Sequence, residues 1–318
     1  MQLHPLDLGA DKHIAAIASL WNAACGPDLA ITERAARFNT LPTAGASQEG
    51  RLAVQAGRPV GFVLASVLTA DPITSPPDMG WIDSIAVRPE QQQQGVGRAL
   101  LDWAEEWLRS QGCLRVRLGG SLRPFAPGLP SGLYSEPFFR ARGYENRPQG
   151  KTDWDVARRL TGYTARSARL GQPAECRPAH PGEEGAMVAF FESEFPGRWR
   201  FEFQEHLRGG GRISDYMVLV ASRGVEGFCQ LTFEDSLRPL DRFFMNSLPR
   251  PWGQLGPIGV ARSCRGGGLG GLLLDAGLSR LRDAGVDGCV IDWTSLLDLY
   301  GKFGFQPFRR YEVLQKQL

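Results

Sequence analysis

Two glycine-bearing stretches offer chemistry through the backbone. Gln92, Gln93, Gln94, Gly95, Val96 and Gly97 form one; Arg265, Gly266, Gly267, Gly268, Leu269 and Gly270 form the other. Both read [Q/R]-x-x-G-x-G, five residues beyond a strand-ending valine, and Gly268 stands 173 positions after Gly95. A helix start carries unpaired N–H groups and partial positive charge, which suits an anion. Glycine has no Cβ to hold a phosphate away from those amides. The implied chemistry is capture of a diphosphate by main-chain groups. Gly266 to Gly271 also satisfy G-x-G-x-x-G, with Asp292 21 residues further on, which invites a dinucleotide reading. Against it, "ARSCR" separates the glycines from the strand, and only 47 residues follow Gly271, too few for a doubly wound sheet. The first copy fails the pattern at Gln93 and Arg98, and no G-K-[ST] follows either loop, so a triphosphatase loop is excluded.

The elements that must position these loops repeat with the same offset. "GRALLDWAEEWLRSQG" has apolar residues at helical spacing and a C-terminal Gly112; "GGLLLDAGLSRLRDAG" repeats it and ends at Gly285. "LRVRL" and "CVIDW" follow as strands, so each loop joins a strand to a helix and the next strand lies parallel to the first. "MQLHPL" matches "AECRPA", "GRPVGFVLASVL" matches "SRGVEGFCQLTF", and "FFRARGYE" matches "LYGKFGFQ", each of the last pair leading into a final strand ("TDWDVA", "RYEVLQ"). A repeat of this length is a repeated domain. The segment 160–173 lacks periodicity and ends in Gly/Pro, giving domains at 1–159 and 174–318 with 160–173 as linker.

The 318 residues suffice for two domains, and 42% hydrophobic with 22% charged residues suits a globular protein. A net charge of +2 gives no general attraction for nucleic acid. Six scattered cysteines, with no C-x-x-C spacing, read as reduced thiols and give no metal site. No leader pattern or membrane-length apolar run is evident, so a cytoplasmic location without membrane attachment is expected.

The order valine strand, [Q/R]-x-x-G-x-[G/A], helix, strand and "Y-x-x-x-G-F" resembles the GNAT family of acyl-CoA-dependent N-acyltransferases, over nearly the whole chain. The resemblance implies an α/β (α+β) fold of two tandem domains. Each would be a mixed, mostly antiparallel sheet with one splayed parallel pair, flanked by helices. It implies acetyl-CoA, or another acyl-CoA, as co-substrate and a small-molecule or peptide amine as acceptor. The diphosphate falls to the two loops, and the pantetheine to main-chain groups of Ile258, Gly259 and Val260, or of Ile85, Ala86 and Val87. Main-chain polarisation of the thioester carbonyl and positioning of the amine would supply most of the rate. Tyr300, the tyrosine of "LYGKFGF", takes the family's place of proton donor to the departing thiolate. In the first half Phe139 stands there and cannot donate; Tyr134 and Tyr144 are its nearest phenols. The reaction is therefore expected in the second half, with the first as a weak or structural copy. Glu234, Asp235 and Asp292 are open as general base. Phe195, Trp199, Phe201 and Phe203 either line an acceptor pocket or pack on the sheet. The competing reading is a non-catalytic acyl-CoA sensor. A monomer or weak homodimer is expected, since two fused domains can satisfy each other.

Overall fold

A computed structural model of the chain describes residues 1–147, 152–165, 174–241 and 248–318. The first half forms β1 (Gln2–Pro5), α1 (Asp11–Cys25), α2 (Glu33–Asn39), β2 (Ala46–Gln55), β3 (Arg58–Leu68), β4 (Met79–Val87), α3 (Val96–Ser110), β5 (Arg115–Leu118), β6 (Leu129–Pro130), α4 (Glu136–Arg140) and β7 (Glu145–Asn146). There follow β8 (Asp153–Arg159), β9 (Glu175–Pro178), α5 (Glu184–Glu194), α6 (Arg198–Arg208), β10 (Tyr216–Ala221), β11 (Gly224–Thr232) and β12 (Trp252–Val260). The chain ends with α7 (Leu269–Asp283), β13 (Gly288–Thr294), α8 (Leu297–Gly301), β14 (Gln306–Glu312) and β15 (Leu314–Gln317).

Two compact units result, one built mainly from Met1–Trp154 with Arg309–Leu318, the other from Asp155–Leu240 with Leu248–Phe308. The first unit's sheet runs β1-β2-β3-β4-β5-β15-β7; the second unit's runs β14-β8-β13-β12-β11-β10-β9. Each has one parallel pair, β4 with β5 and β12 with β13, as expected from the loop-helix connection between them. The pairing stops at Ile82 opposite Leu118 and at Gln254 opposite Val290, while β4 and β12 run on to Val87 and Val260. Both parallel pairs are therefore splayed at the loop end. The prolines Pro5 and Pro178 lie on the edge strands β1 and β9, where a missing N–H costs the ladder least.

The division of the chain differs from the expected one. β15, the last strand of the chain, sits between β5 and β7 of the first unit, and β8 sits between β13 and β14 of the second. Each sheet is completed by a strand that the sequence assigns to the other half. "RYEVLQ", read as one strand, is split at Val313 between β14 and β15. The cause is burial: Leu314 is fully enclosed with the α3 face of the first core, whereas Val156, Leu160 and Tyr163 belong to the second core. The start of the presumed linker is likewise packed. Leu160 N–H donates to Asp287 O at 2.7 Å, Arg282 Nη1 donates to Tyr163 O at 2.7 Å, and Tyr163 bonds Asp275. Residues 166–173 of that linker lie outside the described residues. Leu314→Ala is expected to cost the first unit about 2–5 kcal/mol, the range for truncating an enclosed leucine. Urea unfolding followed by tryptophan fluorescence measures it.

The helix behind each loop buries one face. α3 places Val96, Leu100, Leu101, Ala104 and Leu108 in the first core, and α7 places Leu269, Leu273, Leu274, Leu278 and Leu281 in the second. These three- and four-residue steps lock each helix axis to its sheet, and so fix the direction of the amides at its start.

Candidate functional site

The two loops have the same backbone course. A 3-10 turn, Pro89–Gln91 or Arg262–Cys264, leads to a left-handed residue, Gln93 (φ 60°) or Gly266 (φ 81°). A second left-handed residue, Gly95 (φ 86°) or Gly268 (φ 80°), then begins the helix, and no side chain caps either start. A Cβ added at Gly95, Gly266, Gly267 or Gly270 would meet nothing within 4 Å, so each has open space on its side-chain face. Gln92 and Gln94 brace the first loop from behind: Gln92 Nε2 donates to Val87 O and Gln94 Nε2 to Glu90 O, both at 3.0 Å.

In the first unit this loop opens into a cavity of about 570 Å³. Gln92, Gln93, Gly95 and Gly97 form its mouth, together with Arg98, an exposed cation on the first turn of α3. Ile85, Ala86 and Val87 form one side, and Leu118 and Gly119 the other, where β4 and β5 part. Trp21, Ala24 and Cys25 of α1 close the cavity over β4.

At its inner end β4 carries a bulge. Ile82 pairs with Ala65 and Ser84 with Leu64, leaving Asp83 as the extra residue. Its carboxylate is buried, and the residue is among those that line the cavity. It accepts hydrogen bonds from Gln48 Nε2 at 2.6 Å and Ser66 Oγ at 2.7 Å, and from the Ser121 hydroxyl. Burial raises its pKa and outweighs the three hydrogen bonds, which lower it. Next to it, the Ser84 hydroxyl oxygen is buried on the same wall with no partner. An orphan of this kind costs stability. Phe139, in the position of the expected proton donor, lines the cavity beside Phe138. Tyr144 donates to Glu105 Oε1 at 3.1 Å within the core, and burial, then Glu105, push its pKa far up. Tyr134 stands at the cavity rim and is 95% exposed.

The second unit is built differently at the matching places. Phe195 and Trp199 pack together, ring centroids 4.8 Å apart, and lie against Gly259, where an added Cβ would come within 2.6 Å of the Phe195 ring. In the first unit the small residues Ala24 and Cys25 occupy that side. Phe201 and Phe203 are buried, the latter stacked on Phe191 at 5.0 Å. At the bulge of β12, Gly256 (φ 140°) replaces the aspartate, and Glu194 Oε2 accepts from Arg262 N at 2.9 Å just before the loop. Tyr300 lies on α8 and is buried, and its pKa is pushed up to about 12 by burial, then by Cys229 and Asp292. The three acids left open as bases are all engaged. Asp292 pairs with Arg238 at 3.0 Å, Glu234 with Arg250 at 3.1 Å, and Asp235 with Arg212 at 2.7 Å.

Asp83, Ser84 and Arg98 are absent from the residues that sequence reasoning selected. The signal for the first two is "WIDSIAV", an acid and a hydroxyl inside an otherwise apolar strand. Among the described residues no group of three His, Cys, Asp or Glu side chains is placed to hold a metal, and no helix is long and apolar enough to cross a membrane.

The model of the acetyltransferase (GNAT) family matches residues 16–123 and 185–305. No curated protein matches the chain. Among solved structures, the chain is similar to a GCN5-related glucosamine N-acetyltransferase region of a fungal multi-domain GH3 β-N-acetylglucosaminidase. The identity is 24% and the TM-score 0.87, over 99% of this chain and 38% of that one. A tandem GNAT protein from the clavulanic acid biosynthesis pathway aligns over 99% and 98% of the two chains, at 17% identity and TM-score 0.73. A GCN5-related N-acetyltransferase from Sphaerobacter thermophilus aligns over 99% and 95%, at 19% identity and TM-score 0.67. The chain thus spans well under half the length of the fungal protein. With both halves matched by the family model and both sheets carrying the splayed pair and glycine loop, the chain belongs to the GNAT acetyltransferase family, as a tandem two-domain member.

Proposed function

We propose that the protein is an acetyl-CoA-dependent N-acetyltransferase acting on a primary amine, and that its reaction centre lies in the first unit. The observation that carries this is one cavity lined both by Gln92, Gln93, Gly95 and Gly97 of the loop before α3 and by the buried Asp83. The sequence alone pointed to the second half. The aromatic pair against Gly259 and the glycine in place of Asp83 argue for a structural role there.

The residues fit the co-substrate. The loop amides and Arg98 receive the diphosphate. The β5-facing edge of Ile85, Ala86 and Val87, beyond the last parallel pair of β4 with β5, receives the pantetheine. The bound thioester supplies the activated acyl group. Asp83 takes the proton that the acceptor ammonium must lose, its raised pKa making it a better base than a surface carboxylate. Tyr134 is the candidate proton donor that Phe139 cannot be.

Titration calorimetry with acetyl-CoA tests the assignment, with one site per chain expected. Binding without any amine-dependent thiol release would favour the sensor reading. Tyr300→Phe is expected to leave turnover unchanged; a large loss would return the reaction to the second unit.

A further inference from the structure

Charges taken partly out of water are normally paired, and a cavity of the second unit holds two groups that are not fully paired. The cavity measures about 460 Å³ and lies where β12 begins and α7 ends, at Trp252 and Ala284. It shares no lining residue with the cavity of the first unit. Its walls carry the carboxylates of Asp215, Glu234 and Asp235 and the guanidiniums of Arg212 and Arg280. Most of these are engaged. Arg212 holds Asp235 through two bonds, at 2.7 and 3.0 Å, and Asp215 Oδ1 at 3.0 Å. Glu234 Oε1 accepts from Arg250 Nε and Trp252 N, both at 3.1 Å.

Two groups remain. Arg280, half-buried on α7, donates from Nη1 to Ser214 O at 2.5 Å and makes no ion pair with any described residue. Burial lowers its pKa, and the charge of Asp215 works against that shift. Asp215 ends the 3-10 turn Ile213–Asp215 and is 2% exposed, and its Oδ2 has no partner. We propose that this cavity binds a free α-amino acid with an apolar side chain. The ligand's carboxylate meets the remaining N–H donors of the Arg280 fork, whose planar geometry suits two parallel bonds. Its ammonium meets the acidic group, in which Asp215 Oδ2 still lacks a donor. Phe233, Pro251, Trp252 and Val286 give the side chain an apolar wall. A simple anion is opposed by the three carboxylates and a simple cation by the two guanidiniums, so a ligand carrying both charges fits best. The site is independent of where the acyl transfer takes place, and it gives the second unit a binding role without chemistry.

The full chain is titrated calorimetrically with L-leucine and L-phenylalanine. Two further probes, 3-methylbutylamine and 4-methylpentanoate, keep the leucine side chain and lose one charge each. At least one amino acid is expected to bind with a Kd of about 1 mM or below. Each single-charge analogue should bind more weakly by on the order of 10–100-fold, the range for a hydrogen bond to a charged group. Arg280→Met should weaken the amino acid by a similar factor and leave acetyl-CoA affinity unchanged. Arg280→Lys keeps the charge without the fork and should fall between. The amino acid should raise the melting temperature of the wild-type chain and not that of Arg280→Met. Melts without ligand show which variants are folded, and where Arg280→Met is not, Arg280→Lys decides. No binding of either amino acid, analogues that bind as tightly as leucine, or full affinity in every folded Arg280 variant overturns the assignment.

Discussion

Asp83→Asn is expected to lower turnover by about 10²–10⁴-fold, the usual contribution of a positioned general base, with acetyl-CoA affinity unchanged. The substitution keeps shape and most hydrogen bonds, because Ser66 and Ser121 hydroxyls can turn to suit an amide. What it removes is the capacity to take a proton. The pH dependence follows from the direction of the shift. Burial raises the native pKa of Asp83 above its unfolded value, so the base form is lost at a higher pH than for an exposed aspartate. The wild-type rate should fall on acidification through that raised value, and the residual rate of the variant should not. The stability sign is opposite to that of a paired carboxylate. The contribution from Asp83 is fully present below its unfolded pKa and is lost as pH rises through the raised native one. At neutral pH the buried charge therefore opposes folding, and Asp83→Asn should melt no lower than wild type. Thermal melts beside initial rates separate a catalytic loss from a damaged fold; a large drop in melting temperature would assign Asp83 to structure instead.

Gly95→Val should abolish measurable acetyl-CoA binding, whereas Gly268→Val should leave it intact. Both glycines hold left-handed backbone at a helix start, so each valine carries a similar conformational cost of about 1–2 kcal/mol. A Cβ at Gly95 meets no protein atom, so the loss there has to come from the ligand's side of the loop. A valine would stand where the diphosphate approaches the amides. The pair of variants is thus matched in backbone conformation, φ 86° and 80°, and tests which loop is occupied. Calorimetry on both decides it, and equal losses would mean that the strain alone disrupts the fold.

Much of this is legible in the sequence. The loops, their helices and the parallel strands follow from local spacing, and the left-handed positions at Gly95 and Gly268 are where glycine is least costly. What was hidden depends on contacts distant in sequence. "TDWDVA" and "RYEVLQ" carry the same kind of pattern, so nothing local says which sheet each completes. Asp83 is one residue in an apolar strand, and only the bulge and the three donors from elsewhere in the unit reveal its place. Phe195 and Trp199 have the right type for either a pocket or a core. Their contact with Gly259 is what separates those two roles.

The exchange of final strands also sets a schedule for synthesis. The first unit's sheet lacks the strand between β5 and β7 until residues 314–317 have been made. Its early partner-seeking edges must wait through the making of the entire second half. Cutting the gene between the halves would leave each product with its neighbour's strand in place of its own.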